Sequence, residues 1–386
     1  MGKWETIPFK KLYLIPSRNG LTRPRSVRGN GFPFINMGEL FAYNRISDIE
    51  TDLVELTLQE REKVTLKNGD LLFARQSLVF EGAGKCSIVI NIKKTTAFES
   101  HIIRVRLNPL LANPNFYYYY FNSPLNPIGK IVQQCAQAGI RGSDLDNLKV
   151  TFPPLPTQEK IASILSAYDD AIENNNKRIK ILEKMAENLY REWFVRMRFP
   201  GHETAEYENG LPKGWSVQKV GEIVSRLPFN KLYKKSDLLP DGNVIVVDQS
   251  AEEYIGFHND EPSHFSDINH PIIIFGDHSC KYQLMTQNFS LGENIVPFTG
   301  KNCNTIFLFY AIRGIVTTTE YKRHWGELIT KKILFPQIEL QNKFAKMIAP
   351  CLQLERQLSS NNYNLTKQRN YQLLRLMSGK MEVTSR

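Results

Sequence analysis

The sequence predicts two copies of an α/β (α+β) domain, separated by two long antiparallel coiled-coil helices in a pseudo-two-fold internal repeat. Three observations predict this architecture. A segment repeats along the chain at a constant offset, a heptad pattern of apolar residues follows its first copy, and the remaining regions hold short β-type runs bounded by turn residues. A chain of 386 residues is long enough for two or three domains that each bury a core.

The internal repeat is clearest where each helix is predicted to begin. Residues 152–162 (FPPLPTQEKIA) resemble residues 335–345 (FPQIELQNKFA) at an offset of 183. Weaker matches follow upstream in the same order, with offsets that change along the chain: Trp4, Phe9 and Leu12 with Trp215, Val220 and Ile223 at 211, Gly69-Asp70 with Gly276-Asp277 at 207, and Phe116–Tyr120 with Ile306–Tyr310 at 190. Two diverged copies of a domain plus a helix, with deletions in the second copy, would leave such a series.

The first long helix is predicted over residues 157–200. Thr157 is a candidate N-cap, and Phe199-Pro200-Gly201 supplies a stop. Between them, seam residues alternate at spacings of four and three, which is typical of a helix that packs on a partner helix. Its only polar member, Asn175, lies near the middle, where a buried amide can fix the register. The seam comprises Ile161, Leu165, Tyr168, Ile172, Asn175, Ile179, Leu182, Ala186, Leu189 and Trp193.

The second long helix is predicted over residues 337–386 and has a less regular seam. Phe344, Ile348, Leu358 and Leu365 continue the heptad pattern. Four polar residues interrupt it: Glu355, Asn362, Arg369 and Gln372. Two helices in the ordinary core of an α-rich protein are the alternative. We favour an antiparallel pair between two domains, because each helix begins where a β-rich region ends.

The globular domains are predicted over residues 1–156 and over residues 201–336, the latter with a linker at its start. Short apolar runs between turn residues predict strands: Leu71–Ala74, Ser87–Ile92, Ile102–Leu107, Val244–Val247 and Ile272–Phe275. Two further runs, Phe116–Phe121 and Ile306–Ile312, are candidate helices. Each copy is therefore expected to be a mixed domain rich in loops.

Charge is distributed unequally between the two copies. The chain carries a net charge of +10, and residues 1–153 hold 20 basic against 13 acidic residues, whereas residues 212–336 hold 13 of each. An excess of this kind favours a polyanionic partner. The five cysteines are scattered without zinc-ligand spacing, and apolar runs are far shorter than a membrane helix, so we expect reduced thiols, no metal site, no membrane span and a cytoplasmic protein.

Several loops combine basic or amide side chains with turn residues, as loops that contact DNA do. Guanidinium groups bind phosphates and can pair with guanine in a bidentate manner. For any single residue, a solvated loop remains the alternative. The candidate DNA-binding residues of the first copy are Arg18, Arg23, Arg25, Arg28, Arg75, Gln76 and Arg141. Those of the second copy are Lys231, Lys234, Lys235, Lys281, Tyr282, Arg323 and His324.

The catalytic motifs sought in this sequence are all incomplete or absent. The stretch Asn108-Pro109-Leu110-Leu111 lacks the second proline of an adenine-methylation loop, and Gly82–Ser87 lacks the first glycine of a phosphate loop. No metalloprotease or serine-hydrolase motif occurs either. These failures favour a binding subunit without catalytic residues.

The chain resembles the specificity subunits of type I restriction-modification systems over nearly its whole length. The resemblance is carried by residues 152–165 (FPPLPTQEKIASIL), by residues 189–195 (LYREWFV) and by residues 211–215 (LPKGW), and residues 69–75 (GDLLFAR) are similar to a turn and strand of their target-recognition domains. The second copy departs from the family pattern, because Gln337-Ile338-Glu339 replaces a proline-rich stretch.

The resemblance implies a non-catalytic protein that binds double-stranded DNA. Each globular domain would read one half of a bipartite, asymmetric target, and the helices would set the spacing between the halves. Two methyltransferase subunits would dock on the helices with S-adenosylmethionine, and two restriction and translocase subunits would use ATP and magnesium, so this chain itself needs no cofactor. A two-domain scaffold or ligand-binding protein that does not bind DNA is the main alternative, and a stand-alone enzyme is a further one.

Overall fold

The computed structural model describes residues 4–134, 137–229, 231–318, 320 and 322–381, and these form two compact units. The first unit contains the residues up to Glu173 together with those from Tyr363 onward, and the second unit contains Asn174–Asn362. Each unit therefore combines one globular region with parts of both long helices. The sequence predicts four consecutive segments, 1–156, 157–200, 201–336 and 337–386. The two units do not follow these boundaries, because each unit takes part of both long helices.

The globular part of the first unit is built from short strands with four short helices among its described residues. The strands are β1 (Glu5–Pro8), β2 (Tyr13–Asn19), β3 (Arg28–Ile35), β4 (Arg45–Ile46), β5 (Asp52–Val54), β6 (Leu71–Ala74), β7 (Gln76–Ser77), β8 (Cys86–Val89), β9 (Ala97–Phe98), β10 (Ile102–Leu107), β11 (Gln133–Gln134), β12 (Ala138–Gly139) and β13 (Lys149–Phe152). The helices are α1 (Met37–Ala42), α2 (Leu58–Val64), α3 (Pro114–Phe121) and α4 (Gly142–Asn147).

A five-stranded sheet in the order β2-β10-β6-β8-β4 forms the centre of the first unit. Its central strands are buried on both faces. Phe73 and Val105 belong to one apolar cluster, which also contains the aromatic residues of α3, whereas Leu72 and Ile102 belong to a second cluster on the opposite face. The alternation of side chains along a strand explains how one short run supplies both cores.

The first long helix, α5 (Leu155–Tyr190), continues into a π-helical turn at Arg191–Val195. The second unit follows with β14 (Tyr207–Glu208), β15 (Leu211–Pro212), β16 (Ser216–Lys219), α6 (Val220–Ile223), β17 (Val224–Arg226), β18 (Val244–Val247), β19 (Gly256–His258), β20 (Ile272–Gly276), β21 (Tyr282–Met285), β22 (Phe289–Leu291), β23 (Ile295–Gly300), α7 (Thr305–Ile312), α8 (Trp325–Leu328) and β24 (Lys332–Phe335). The second long helix, α9, spans Ile338–Met377.

The two units share one topology, which confirms the predicted repeat. The second unit contains a sheet in the order β17-β23-β20-β21, which corresponds to β2-β10-β6-β8 of the first. The strand before each long helix pairs with the first strand of its unit, as Glu5 pairs with Phe152 and Ser216 with Phe335. These pairs carry the offsets of 211 and 183 that the sequence shows.

Two of the weaker sequence matches are corrected by the structure. Gly69-Asp70 precedes β6, whereas Gly276 is the last residue of the corresponding strand β20 and Asp277 follows it, so these pairs are not equivalent. The helices α3 and α7 correspond at an offset of 191 rather than 190, because Asn113 and Asn304 cap them through their side chains. A Gly-Asp pair occurs in many turns, and runs of apolar residues align equally well after a slip of one residue.

The ends of the first long helix also differ from the prediction. Thr157 is not the N-cap: the helix begins at Leu155, and the Thr157 N–H donates to the Pro154 carbonyl at 2.9 Å. Pro156 fits this first turn, where its missing N–H would have no helical partner. At the other end, helical structure stops at Val195, before the predicted stop.

Within each unit the two long helices run antiparallel, as predicted. In the first unit Asp169 contacts Arg369, and in the second unit Asn175 contacts Asn362 while Trp193 packs on Phe344, with ring centroids 6.0 Å apart. All fourteen seam residues are buried or half-buried. The polar interruptions at Asn362 and Arg369 are therefore partners of residues on the other helix.

Candidate nucleic-acid interface

Two of the predicted DNA-binding loops meet in the first unit. Strand β7 pairs with β12, which places Gln76 opposite Gly139, and the Ile140 N–H donates to the Arg75 carbonyl at 3.0 Å. Glycine favours this approach, since a Cβ on Gly139 would lie 3.0 Å from the Arg75 carbonyl oxygen, a tight contact. The pairing holds Arg75, Gln76 and the loop of Arg141 side by side.

A third predicted loop reaches the same end of the sheet. The Ser17 hydroxyl donates to the Asp146 carboxylate of α4 at 2.8 Å, which holds the end of β2, where Arg18 lies, against that helix. Arg141 precedes α4 and is exposed. Arg18, Arg75, Gln76 and Arg141 therefore lie on segments that these contacts connect, and the four residues are here called the first basic rim.

The other three arginines of the first copy differ in their contacts. Arg23 forms an ion pair with Glu60 at 2.6 Å. Arg28 pairs with Asp52 at 2.8 Å and donates to the Arg23 carbonyl, so both side chains stabilise the loop itself. Arg25 is exposed, and its side chain makes no hydrogen bond or ion pair with the part of the chain that the structure describes. Of the three, Arg25 is the one presented to solvent.

Two basic residues next to the first basic rim were missed by the sequence reasoning. Arg104 of β10 and Lys63 of α2 line a groove together with Arg18. The available signal was the alternation in residues 102–107 (IIRVRL), which places two arginines on one face of an otherwise apolar strand. The second of these, Arg106, makes a bidentate ion pair with Asp70.

In the second unit, Lys231 belongs to a local polar network. Its ammonium group lies 2.9 Å from the Asp260 carboxylate and 4.3 Å from the centre of the Tyr233 ring, which stacks on His258. The hydrogen bonds from Lys231 and Tyr233 lower the pKa of Asp260, and burial lowers the pKa of His258. Lys234 and Lys235 follow on the same loop and are exposed.

The remaining candidates of the second unit are mostly held by contacts within the fold. Lys281 donates to the backbone carbonyls of Asp248 and Glu252, and burial lowers its pKa. Tyr282 packs on Phe275, and its hydroxyl donates to a backbone carbonyl.

His324 is only 1% exposed, and its ring contacts the Glu320 carbonyl and the Glu327 carboxylate. Arg323, by contrast, is highly exposed. Among the candidates of this unit, the exposed cations are thus Lys231, Lys234, Lys235 and Arg323. A role in DNA binding stays a prediction for every candidate in both units.

The described ranges of the chain contain no group of three His, Cys, Asp or Glu side chains that could hold a metal ion. Cys86, Cys280, Cys303 and Cys351 carry free thiols, and Cys135 lies outside the described residues. Among the helices that the structure describes, none is both long and apolar enough to span a membrane.

Comparisons with known proteins identify relatives of one kind. Residues 1–184 match the family model of the type I restriction modification DNA specificity domain. The putative type I restriction enzyme MjaX specificity subunit of Methanocaldococcus jannaschii is 26% identical over 378 residues, which cover 89% of this chain and 86% of that protein. The MjaIX specificity subunit of the same organism is 28% identical over 184 residues, 40% of this chain and 43% of that protein. The EcoKI specificity subunit of Escherichia coli is 27% identical over 216 residues, 53% of this chain and 45% of that protein.

A solved structure shares the fold. The type I restriction-modification S subunit from M. genitalium aligns with 99% of this chain and 97% of its own, with a TM-score of 0.58 and 16% sequence identity.

Proposed function

We propose, from the premise that this chain belongs to the family of type I restriction-modification DNA specificity subunits, that it reads a bipartite DNA sequence. Each unit binds one half of the target through its loops. The half-sites differ in sequence, so the target is asymmetric. The protein binds DNA in the cytoplasm.

The observation that carries this proposal is the repetition of one sheet topology with different loops. The corresponding sheets β2-β10-β6-β8 and β17-β23-β20-β21 provide two similar scaffolds. The first unit presents arginines and an amide at its first basic rim, whereas the second presents Lys231, Lys234 and Lys235. Since base recognition depends on the side chains that reach the base edges, different loops on one scaffold favour different half-sites.

The long helices have two roles in the proposal: they set the spacing between half-sites, and they bind two methyltransferase subunits. With 36 and 40 residues, α5 and α9 are about 54 and 60 Å long. Both helices expose large apolar side chains, which favours protein partners. Ile181 and Met185 are more than half exposed on α5, one helical turn apart, and so is Tyr371 on α9.

The chemistry of the complex belongs to the partners in this proposal. The two methyltransferase subunits bind S-adenosylmethionine, and two restriction and translocase subunits use ATP and magnesium. This chain positions them on DNA and performs no catalytic step. Its relatives carry the name of specificity subunits, which supports this division of labour.

The decisive experiment maps methylated adenines in a host that carries this chain with its modification partner. We expect one bipartite motif with a fixed gap. Replacement of residues 1–156 by the corresponding region of a relative should change one half of the motif and leave the other half and the gap unchanged. A methylated sequence that stays the same after the exchange would refute the proposal.

A further inference from the structure

A groove in the first unit contains a buried cation without an anionic partner. Strand β2, helix α2, strand β10 and helix α4 line it. Its charged groups are Arg18, Lys63 and Arg104 on the positive side, and Glu62 and Asp146 on the negative side.

Arg104 is the unusual member of this groove. It is 3% exposed, and its guanidinium makes no hydrogen bond or ion pair with any residue that the structure describes. Burial lowers its pKa, Asp70 opposes this, and the neighbouring Arg106 and Arg18 lower the pKa further. The side chain is almost wholly buried, yet none of its nitrogens is among the fully buried unpaired atoms, so they remain accessible from the groove. A largely buried charge without an ion-pair partner is unfavourable, and a group placed in this way is typical of a binding site.

The nearby acids do not satisfy Arg104. Both oxygens of Asp70 accept hydrogen bonds from Arg106, at 2.6 and 2.7 Å. Asp146 accepts the hydrogen bond from Ser17 and interacts with Tyr13, while Glu62 is exposed on α2. The donors of Arg104 are therefore left for an anion that enters the groove from outside.

We infer that Arg104, with Arg18 and Lys63, binds one phosphate of the DNA backbone. The inference rests on the proposed function, and it adds a contact of a different kind. A guanidinium fork matches two phosphate oxygens, and an ammonium group adds a point charge. Arg18 also belongs to the first basic rim, so a phosphate held in the groove lies next to the side chains proposed to read bases. Phosphate contacts fix the register of a reader without sequence preference.

The test measures DNA affinity of the full chain in complex with its methyltransferase subunits, as a function of KCl concentration. Target and non-target duplexes are compared for the wild type and for Arg104→Gln. We expect the variant to weaken binding to both duplexes by a similar factor, about tenfold, and to reduce the slope of log affinity against log salt by about 0.9. Arg18→Gln should act in the same direction. Lys94→Gln is the matched control, because Lys94 is exposed in the loop after β8, a strand that β6 separates from β10, and does not line the groove, so this substitution should change neither quantity.

The possible outcomes separate the inference from the proposed function. If the wild type binds its target but Arg104→Gln and Arg18→Gln keep its affinity and slope, the phosphate site is refuted and the function stands. A wild-type complex with no salt-dependent DNA binding and no methylated motif refutes the function. Discrimination lost at one base pair, with the slope unchanged, makes Arg104 a base reader and also overturns the inference.

Two further measurements test whether the variant folds and whether the bound phosphate comes from DNA or from solution. A lower melting temperature of the chain would show that Arg104→Gln folds less stably. In that case the slopes of log affinity against log salt for Arg18→Gln and Lys63→Gln test the phosphate site, since Arg18 and Lys63 are exposed. Inorganic phosphate is titrated at constant ionic strength without DNA. Saturable binding that Arg104→Gln abolishes, with an unchanged DNA slope, would assign the groove to free phosphate and overturn the assignment to DNA.

Discussion

At the residue scale, a buried glutamine fastens the start of each long helix to its unit. Gln158 and Gln341 are fully buried and lie at equivalent positions. Gln158 Oε1 accepts the Asn113 N–H at 2.9 Å, and its Nε2 donates to the Pro153 carbonyl at 2.8 Å. Gln341 makes the same two contacts, with the Asn304 N–H at 2.9 Å and the Pro336 carbonyl at 2.8 Å. The strongest segment of the sequence repeat therefore has a physical cause, because each glutamine bonds the residue that caps a core helix.

We expect Gln158→Leu to lower the free energy of unfolding of the first unit by about 2 to 4 kcal/mol, because buried backbone groups lose their partners. Denaturant titration measures the loss, and hydrogen exchange shows whether it is confined to the first unit. The exposed neighbour Glu159 provides the control as Glu159→Gln, which should stay within about 0.5 kcal/mol of the wild type. Equal stability of the two variants would contradict the role of Gln158.

A second residue-scale prediction concerns Glu355 of α9. Burial raises its pKa to about 7, with further contributions from Glu183 and Glu253, while Arg313 opposes the shift. These side chains line a common cavity in the second unit. Because the pKa in the folded chain lies above the ordinary glutamate value of 4.5, ionisation of Glu355 is less favourable in the folded state. The resulting penalty is absent below about pH 4.5, grows as the pH rises, and is complete above about pH 7.

Glu355→Gln should therefore stabilise the chain at pH 8 and have little effect at pH 4.5. We expect a gain of about 1 to 2 kcal/mol at pH 8, since solvent at a partly exposed group reduces the effect of the full shift. Chemical denaturation at both pH values measures it, and the acidic measurement is the control. A gain of the same size at both pH values would indicate a packing effect instead.

The candidate site shows what residue types alone do not determine. The sequence placed Arg23 and Arg28 among the DNA-binding candidates, yet they pair with Glu60 and Asp52, acids that the fold brings from later in the chain. Arg104 was missed because it lies within an apolar strand, where a cation is unexpected. The loops of Arg75 and Arg141 were identified from their composition, but only the pairing of β7 with β12 brings them together.

At the element scale, the middle of the helix pair is polar within the second unit. The Asn175 amide donates to Asn362 at 2.9 Å, and the Asn362 amide donates to Asn176 at 2.8 Å. Asn175 was predicted to fix the register, whereas Asn362 had been an interruption of the second seam. The two positions form one hydrogen-bonded contact between the helices, and only the antiparallel register shows which residues face each other.

Asn175→Leu should lower the free energy of unfolding by about 0.5 to 1.5 kcal/mol, because Asn362 loses its hydrogen-bond donor. The double variant Asn175→Leu, Asn362→Leu should recover this loss through apolar contact, while the register or the oligomeric state becomes less well defined. A double-mutant cycle gives the coupling, and light scattering gives the oligomeric state. The exposed neighbour serves as the control in Asn174→Leu. No coupling, together with a monomer and unaltered spacing of the methylated half-sites, would count against the register role.

Strands and helices were predicted well where apolar runs are bounded by turn residues. The bounds of Leu71–Ala74, Ile102–Leu107 and Val244–Val247 agree with β6, β10 and β18. The start of α5 was placed two residues late, because a threonine was preferred as a cap over prolines that fit a first helical turn. Local sequence patterns predict where a helix or strand lies, but they do not determine the residue at which it begins or ends.

At the scale of the whole molecule, the two copies of one fold carry different charge. Residues 1–153 hold seven more basic than acidic residues, and residues 212–336 are balanced. In the second unit, positive charge is concentrated in loops such as that of Lys231, where Asp260 already pairs with one lysine. Under the proposed function, the first unit should therefore neutralise more DNA phosphates than the second.

This asymmetry can be measured with duplexes that are shortened on one side only. The exchange of residues 1–156 identifies the half-site of the first unit. Removal of flanking base pairs on that side should reduce the slope of log affinity against log salt more than removal of the same number on the other side. Each neutralised phosphate contributes about 0.9 to the slope. The opposite truncation is the matched control, because two identical methyltransferase subunits would contribute equally to both sides. Equal losses would show that the exposed lysines of the second unit offset its balanced net charge, and that net charge does not determine phosphate contact in this chain.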